Sequence, residues 1–224
     1  MTNKNHTHVL RWDDPAAIHA LQSSLTNDRV SIVSTDTILG FLARSTKSGY
    51  DQLHRIKGSR EAKPYLILIG CVEKLKNFVD SDALHPRLLH MLQKCWPGPV
   101  TVIFPVGSHI ASFLCAENKT IGLRCPAHKG LQQLLPKFDG LLSTSANFSG
   151  QPVWRSVDQI PPAVLAGIDH IVIDQNTQTS EHPSTIIDAS LSSLHDEIPV
   201  IRVVREGAYA IKDLEKLYGQ PFER

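Results

Sequence analysis

The apolar residues of this chain change their spacing repeatedly, and that switching restricts the fold more than any other feature. The runs "RVSIVS" (29–34), "ILGFLA" (38–43), "YLILIG" (65–70), "VTVIFP" (100–105) and "TIGLRCP" (120–126) read as strands, being short, apolar and rich in β-branched side chains. "GLLSTSANFSGQP" reads as a strand entering a loop, and "HIVID" (170–174), "STIIDA" (184–189) and "PVIRVV" (199–204) add three strands late in the chain. Helical spacing lies between them. Asp13 and Asp14 before Pro15 predict a helix over about 15–26, and "SGYDQLHRIK" predicts a short one. Leu84, Leu88, Met91 and Leu92 mark another in "ALHPRLLHMLQKCW", and "HKGLQQLLPKF" a further one. Ile211, Leu214, Leu217 and Tyr218 form an amphipathic helix closed by Gly219. The pattern predicts one α/β domain, a twisted mixed β-sheet flanked by helices, with a concave ligand cleft where strand-end loops converge.

Charge narrows the function classes. The 224 residues hold 23 Lys plus Arg against 22 Asp plus Glu, a net +1 that argues against a surface coated in nucleic acid but leaves room for a local basic groove. The start "MTNKNHTHVLRW" lacks the apolar core of a secretory signal, and no stretch of about 18 apolar residues occurs. A cytoplasmic protein without membrane contact is expected. Cys71, Cys95, Cys115 and Cys125 form no CxxC pair, so reduced, mostly buried thiols are expected rather than disulfides or zinc. His6 and His8 sit in a polar terminus, read as solvated.

Four segments place unusual polarity beside a strand. In "STDTILG" (34–40), Thr35, Asp36 and Thr37 separate two apolar runs, as turn chemistry or as contacts to an amino acid or phosphate. "KGSREAKP" (57–64) packs Lys57, Arg60 and Lys63 before a helix-stopping proline; these cations either solvate a loop or bind phosphate, arginine as a planar fork and lysine as a point charge. Arg124 interrupts the strand "TIGLRCP", costly if it faces inward without an anion and ordinary at a strand edge. "STSANFSG" combines hydroxyls, an amide and small residues that let backbone approach a ligand, or it forms a plain turn. "HPSTIID" and "VVREGA" repeat the theme with Ser184, Thr185 and Arg205.

In order and wording these segments resemble the YrdC-like family, the threonylcarbamoyl-adenylate synthases of tRNA modification. "STDTILGF" resembles the family's P-T-D/E-T-x-Y-G-L, "KGSREAKP" its K-x-R-x-x-x-K/N-P, and "WPGPVT" (96–101) its W-P-G-P-L-T. "TIGLRCP" is similar to T-V-A-V-R-x-P, "SANFSG" (145–150) to S-A-N-x-S-G, "STIID" to S-T-x-x-D and "REG" to R-x-G. The resemblance spans roughly 14–210 and is to the single-domain form. It implies an N-terminal extension over 1–13, a catalytic domain over 14–210, and a C-terminal helix and tail over 211–224.

The family's activity condenses L-threonine, bicarbonate (or carbon dioxide) and ATP to threonylcarbamoyl-adenylate and pyrophosphate, for modification of adenosine 37 in tRNAs reading codons that begin with A. Carried over by position, the resemblance implies threonine contacts at Thr35, Arg124, Ser143 and Ser184. It implies ATP contacts at Arg60, Lys63, Thr120, Ser145, Asn147 and Arg205, with Lys57, Arg60 and Lys63 as the catalytic cations. Mg²⁺ is expected with ATP, though the sequence has no metal-ligand spacing and no G-x-x-x-x-G-K-[S/T] phosphate loop. The expected partners are the three substrates, downstream tRNA-modifying proteins and a tRNA contact. Three positions depart from the pattern: Ser59 stands at its arginine, Leu39 at an aromatic expected to wall the substrate pocket, and Ser34 at its proline. A divergent relative with another nucleotide-dependent activity, or a non-catalytic RNA-binding module, are the alternative readings.

Overall fold

Alternate residues of the central strands go to opposite faces, and the two faces have different fates. The computed structural model describes residues 7–58, 64–175, 182–191 and 195–224. In chain order the strands are β1 (His8–Arg11), β2 (Val30–Val33), β3 (Gly40–Arg44), β4 (Leu66–Leu68) and β5 (Val100–Pro105), followed by β6 (Thr120–Arg124), β7 (Leu141–Ser145), β8 (Ile168–Ile173), β9 (Thr185–Asp188) and β10 (Arg202–Arg205). The helices are α1 (Ala17–Thr26), α2 (Lys47–Lys57), α3 (Pro86–Cys95), α4 (Lys129–Leu134), α5 (Pro162–Leu165) and α6 (Ile211–Tyr218).

Among the described residues, all ten strands join one mixed sheet in the order β1-β8-β2-β3-β7-β4-β6-β5-β9-β10. β8 runs parallel to β1 and β2, β4 to β6, and β5 to β9, while the remaining neighbours are antiparallel. One face is sealed: Phe41, Ile67, Val102, Ile121, Leu123, Leu142 and Ile187 pack into a core with Leu53, Leu92 and Leu214. On the other face Val33, Leu42, Leu68 and Leu141 meet Leu21, Leu25, Leu131 and Leu134 from α1 and α4. Beyond those two helices the face opens into a cleft. Burial drives both layers, at about 25 cal/mol per Å² of apolar surface.

Local chemistry sets the helix ends. Asp14 Oδ1 accepts from the Ala16 amide at 2.8 Å, so the anticipated aspartate cap serves the turn before α1, which begins at Ala17 rather than 15. Thr46 Oγ1 caps α2 by accepting from the Gly49 amide at 3.1 Å. Gly219 closes α6 in a left-handed conformation (φ 85°), as its position in the sequence predicts. The last strand begins at Arg202, three residues later than expected, though Ile201 before it is buried. All four cysteines are free thiols; Cys95 and Cys125 are buried and Cys71 is exposed.

Candidate active site

Hydroxyls, glycines and arginines stand among apolar side chains where the open face forms the cleft. Its volume is about 1360 Å³, and its lining includes Thr35, Thr120, Arg124, Ser143, Ser145, Asn147, Ser184 and Arg205, residues anticipated from segments scattered between positions 35 and 205. Strand register brings them together. Ser145 is opposite Gly40 and Ser143 opposite Leu42 across β7 and β3, while Ser143 also pairs with Leu66. Gly122 pairs with Ile103, and Thr120 with Pro105. The glycines keep the floor low: a Cβ on Gly122 would reach Thr101 and Leu66 at 3.8 and 3.9 Å, ordinary contact distances, while projecting into the cleft.

Arg124 faces inward and is 4% exposed. Its Nη2 donates to Asp36 Oδ1 at 2.5 Å, its Nη1 to Thr37 Oγ1 at 3.0 Å, and its Nε to the Gly98 carbonyl at 3.3 Å. Asp36 Oδ2 in turn accepts from the Ala127 amide at 2.8 Å. The anion that an inward arginine requires is therefore Asp36, a partner the sequence pattern left unassigned. Thr35 Oγ1 ties the same turn together, lying 3.1 Å from Thr37 Oγ1 and donating to the Ile38 carbonyl at 2.8 Å.

Ser184 Oγ lies 2.8 Å from Thr101 Oγ1, and its carbonyl accepts from Arg205 Nη2 at 2.8 Å. Partial burial, and then the nearby Arg124 charge, push the Arg205 pKa below its ordinary value. Two guanidiniums that disfavour one another across a cleft are relieved by an anion placed between them. Arg155 adds a third arginine, and no carboxylate appears among the described lining residues.

Lys57 lies against the loop after β7, whose Ser145 and Asn147 line the cleft. It is 4% exposed, and its ammonium donates to the Ser145 carbonyl at 2.6 Å and to Asn147 Oδ1 at 2.5 Å, 5.5 Å from the Phe41 ring centre. It thus clamps the C-terminus of α2 to the loop after β7, and the described cleft lining does not include it. Asn147 Oδ1 also accepts from Ser145 Oγ at 2.7 Å, and Thr120 Oγ1 donates to Asn118 Oδ1 at 2.7 Å. Arg60, Lys63 and Ser59 lie outside the described residues.

Leu39 needs a correction. Expected to stand at the pocket wall, it is 3% exposed and packs into the sealed core, while its neighbour Ile38 lines the cleft. Period-two alternation requires this, since Gly40 faces the cleft and its neighbours face away. Tyr65 and Trp154 also line the cleft without having been singled out from the sequence. Trp154 makes edge contacts with Phe41 and Phe148 at 6.0 and 5.5 Å. Nothing but its place just past the "SANFSG" loop signals it.

Comparison with known proteins fits this arrangement. The family model of Sua5, YciO and YrdC, described as telomere recombination, matches residues 23–207. The chain belongs to the Sua5/YciO/YrdC family. It is 31% identical over 185 residues to the threonylcarbamoyl-AMP synthase of Xanthomonas oryzae pv. oryzae (strain PXO99A), covering 82% of this chain and 95% of that protein. A synthase of the same name from Xanthomonas euvesicatoria pv. vesicatoria is 34% identical over 139 residues, or 62% of this chain and 74% of that one. Among solved structures, P. abyssi Sua5 complexed with L-threonine superposes with a TM-score of 0.81 at 21% identity, over 97% of this chain and 62% of Sua5. E. coli YciO gives 0.75 at 21% identity, over 93% of this chain and 98% of YciO. At that identity the two structures establish the shared fold.

Proposed function

We propose that this chain is a nucleotidyltransferase, an L-threonylcarbamoyladenylate synthase that condenses L-threonine, bicarbonate (or carbon dioxide) and ATP. The products are threonylcarbamoyl-adenylate and pyrophosphate, the adenylate being passed to separate proteins that modify adenosine 37 of tRNA. One observation carries the reading: hydroxyls and arginines from distant segments converge on a single cleft with three arginines and no described carboxylate. The names of the Xanthomonas relatives and the L-threonine complex of Sua5 point to the same substrates.

The cleft is lined by residues suited to two ligands. Thr35, Arg124, Ser143 and Ser184 hold threonine, with Arg124 offering the N–H groups that Asp36, Thr37 and Gly98 leave over. Ser145, Asn147, Thr120 and Arg205 face ATP, and Arg60 and Lys63 reach its phosphates. The threonine amine takes up bicarbonate with loss of water to give a carbamate. A carbamate oxygen then attacks the α-phosphorus, and pyrophosphate leaves with the electron pair of the broken P–O bond. Such a transfer needs positioning and charge stabilisation, without a covalent nucleophile. A fixed cation contributing about 3 kcal/mol at the transition state accelerates it roughly a hundredfold. Magnesium would enter with the phosphates of ATP, whose charge it would neutralise; the described lining offers it no carboxylate.

The test is mass spectrometry of the product after incubation with threonine, bicarbonate and magnesium-ATP, with pyrophosphate measured alongside. Threonylcarbamoyl-adenylate must form, and pyrophosphate must appear only when threonine and bicarbonate are both present. Lys63→Ala abolishes that release while the chain stays folded. A protein that retains tRNA with steep salt dependence and turns over no nucleotide is instead a binding module.

A further inference from the structure

The turn that holds Arg124 is rooted in a second set of residues, outside the cleft. Ser34, 2% exposed, immediately precedes Thr35. Its hydroxyl donates to Asp174 Oδ2 at 2.7 Å and accepts from the Asp174 amide at 3.0 Å and from Trp12 Nε1 at 3.1 Å. One donor and two lone pairs are thereby all used. Its amide extends the β2–β8 pairing by donating to the Val172 carbonyl at 3.0 Å, and its carbonyl accepts from Trp12 Nε1 at 3.2 Å. The proline of the family pattern could supply neither the hydroxyl nor the amide.

His128 closes the set. Its Nδ1 accepts from the Leu131 amide at 3.3 Å as the cap of α4, which leaves the ring proton on Nε2, and Nε2 donates to Asp174 at 3.1 and 3.3 Å. The His128 and Trp12 rings lie 4.9 Å apart. α4 is shaped to admit the indole: a Cβ on Gly130 would come within 2.2 Å of it. Trp12 follows β1 and lies outside residues 23–207, the span of the family match.

We infer that Trp12, Ser34, His128 and Asp174 form a positioning network that fixes the Thr35–Thr37 turn, and through it Arg124, for the amino-acid substrate. None of the four belongs to the described cleft lining, so they act through the turn. Ser34 anchors the turn at its root, while Asp36 is tied by the Ala127 amide to the residue next to His128. The network therefore holds the turn at its root, beside the Ala127 contact to Asp36, and links the first strand to the turn that bonds Arg124. The inference rests on the threonine assignment given above.

Two variants test it. Ser34→Ala removes the hydroxyl, and Trp12→Phe removes the indole N–H while keeping a ring against Gly130. Each should raise the KM for threonine about tenfold and leave the KM for ATP within about twofold, since the loss falls on one substrate. The double variant should be no worse than the more damaged single one, because both break the same network. Amide hydrogen exchange in peptides covering 35–38 should quicken in both variants. If Ser34→Ala does not fold, Trp12→Phe carries the test alone. A parallel rise of both KM values, an unchanged threonine KM, or unchanged exchange at 35–38 overturns the inference. Wild-type protein that releases no pyrophosphate removes the synthase reading instead, and the exchange measurement then decides the network by itself.

Discussion

Arg124 Nη2 and Asp36 Oδ1 lie 2.5 Å apart although 88 residues separate them in the chain, and both side chains are largely withdrawn from solvent. The pair joins two segments that the sequence presents as unrelated. Asp36 neutralises the arginine enough to allow its burial, and on the proposed function the N–H groups left over serve threonine. Asp36→Ala strands a buried cation, so it should destabilise the fold by about 3–5 kcal/mol. Urea unfolding measures this. A midpoint matching wild type would mean that Arg124 finds its anion elsewhere.

Gly122 separates the requirements of the cleft from those of the fold. Its neighbours Thr101 and Leu66 leave room for a Cβ at 3.8 and 3.9 Å, and the residue sits in a strand, where valine is favoured. Gly122→Val should fold with a thermal midpoint within a few degrees of wild type, yet lose at least about a hundredfold in pyrophosphate release as its side chain fills the floor. Retained turnover in a well-folded variant removes this floor from the substrate site.

Short apolar runs exposed most of the sheet to inspection, because burial on both faces leaves its mark in a few consecutive residues. The edge strand His8–Arg11 was hidden: most of its side chains are exposed, and only its pairing with β8 makes it a strand. The cleft residues from Thr35 to Arg205 were legible through motif wording, since each motif is contiguous. Partners were not. Asp36 for Arg124, the Ser145–Asn147 loop for Lys57, and the network at Ser34 all depend on registers between distant strands. Leu39 shows the same limit at the scale of one residue, where side-chain alternation decides between wall and core.

Two buried thiols set an alkaline limit to stability. Burial pushes Cys95 up to about 12 and Cys125 up to about 11, from an ordinary value of 9.0. A raised thiol pKa means that the folded chain keeps its proton where the unfolded chain has lost it. The contribution is therefore complete below about pH 9 and disappears as pH climbs toward the folded values. For Cys95 the loss at pH 10.5 is about 2 kcal/mol. Denaturant midpoints at pH 8.5 and 10.5 should diverge in wild type and move closer together in Cys95→Ala. An equal pH dependence in the two proteins would clear this thiol of responsibility.

Lys57 decides between a cation that touches nucleotide and one that holds a loop. Its ammonium is bonded to the Ser145 carbonyl and Asn147 Oδ1, so its removal acts first on the loop that presents Ser145 and Asn147 to the cleft. Lys57→Met retains the length of the stem without the charge. It should lower stability by about 2–3 kcal/mol, the scale of hydrogen bonds from a charged donor. The KM for ATP should rise by about tenfold while the KM for threonine stays near its original value, because the proposed function assigns the displaced loop to ATP. Paired denaturation and steady-state measurements on the variant separate the two roles. Unaltered stability with abolished turnover would return Lys57 to direct contact with the phosphates, whereas loss of both together identifies it as the clamp between α2 and the loop.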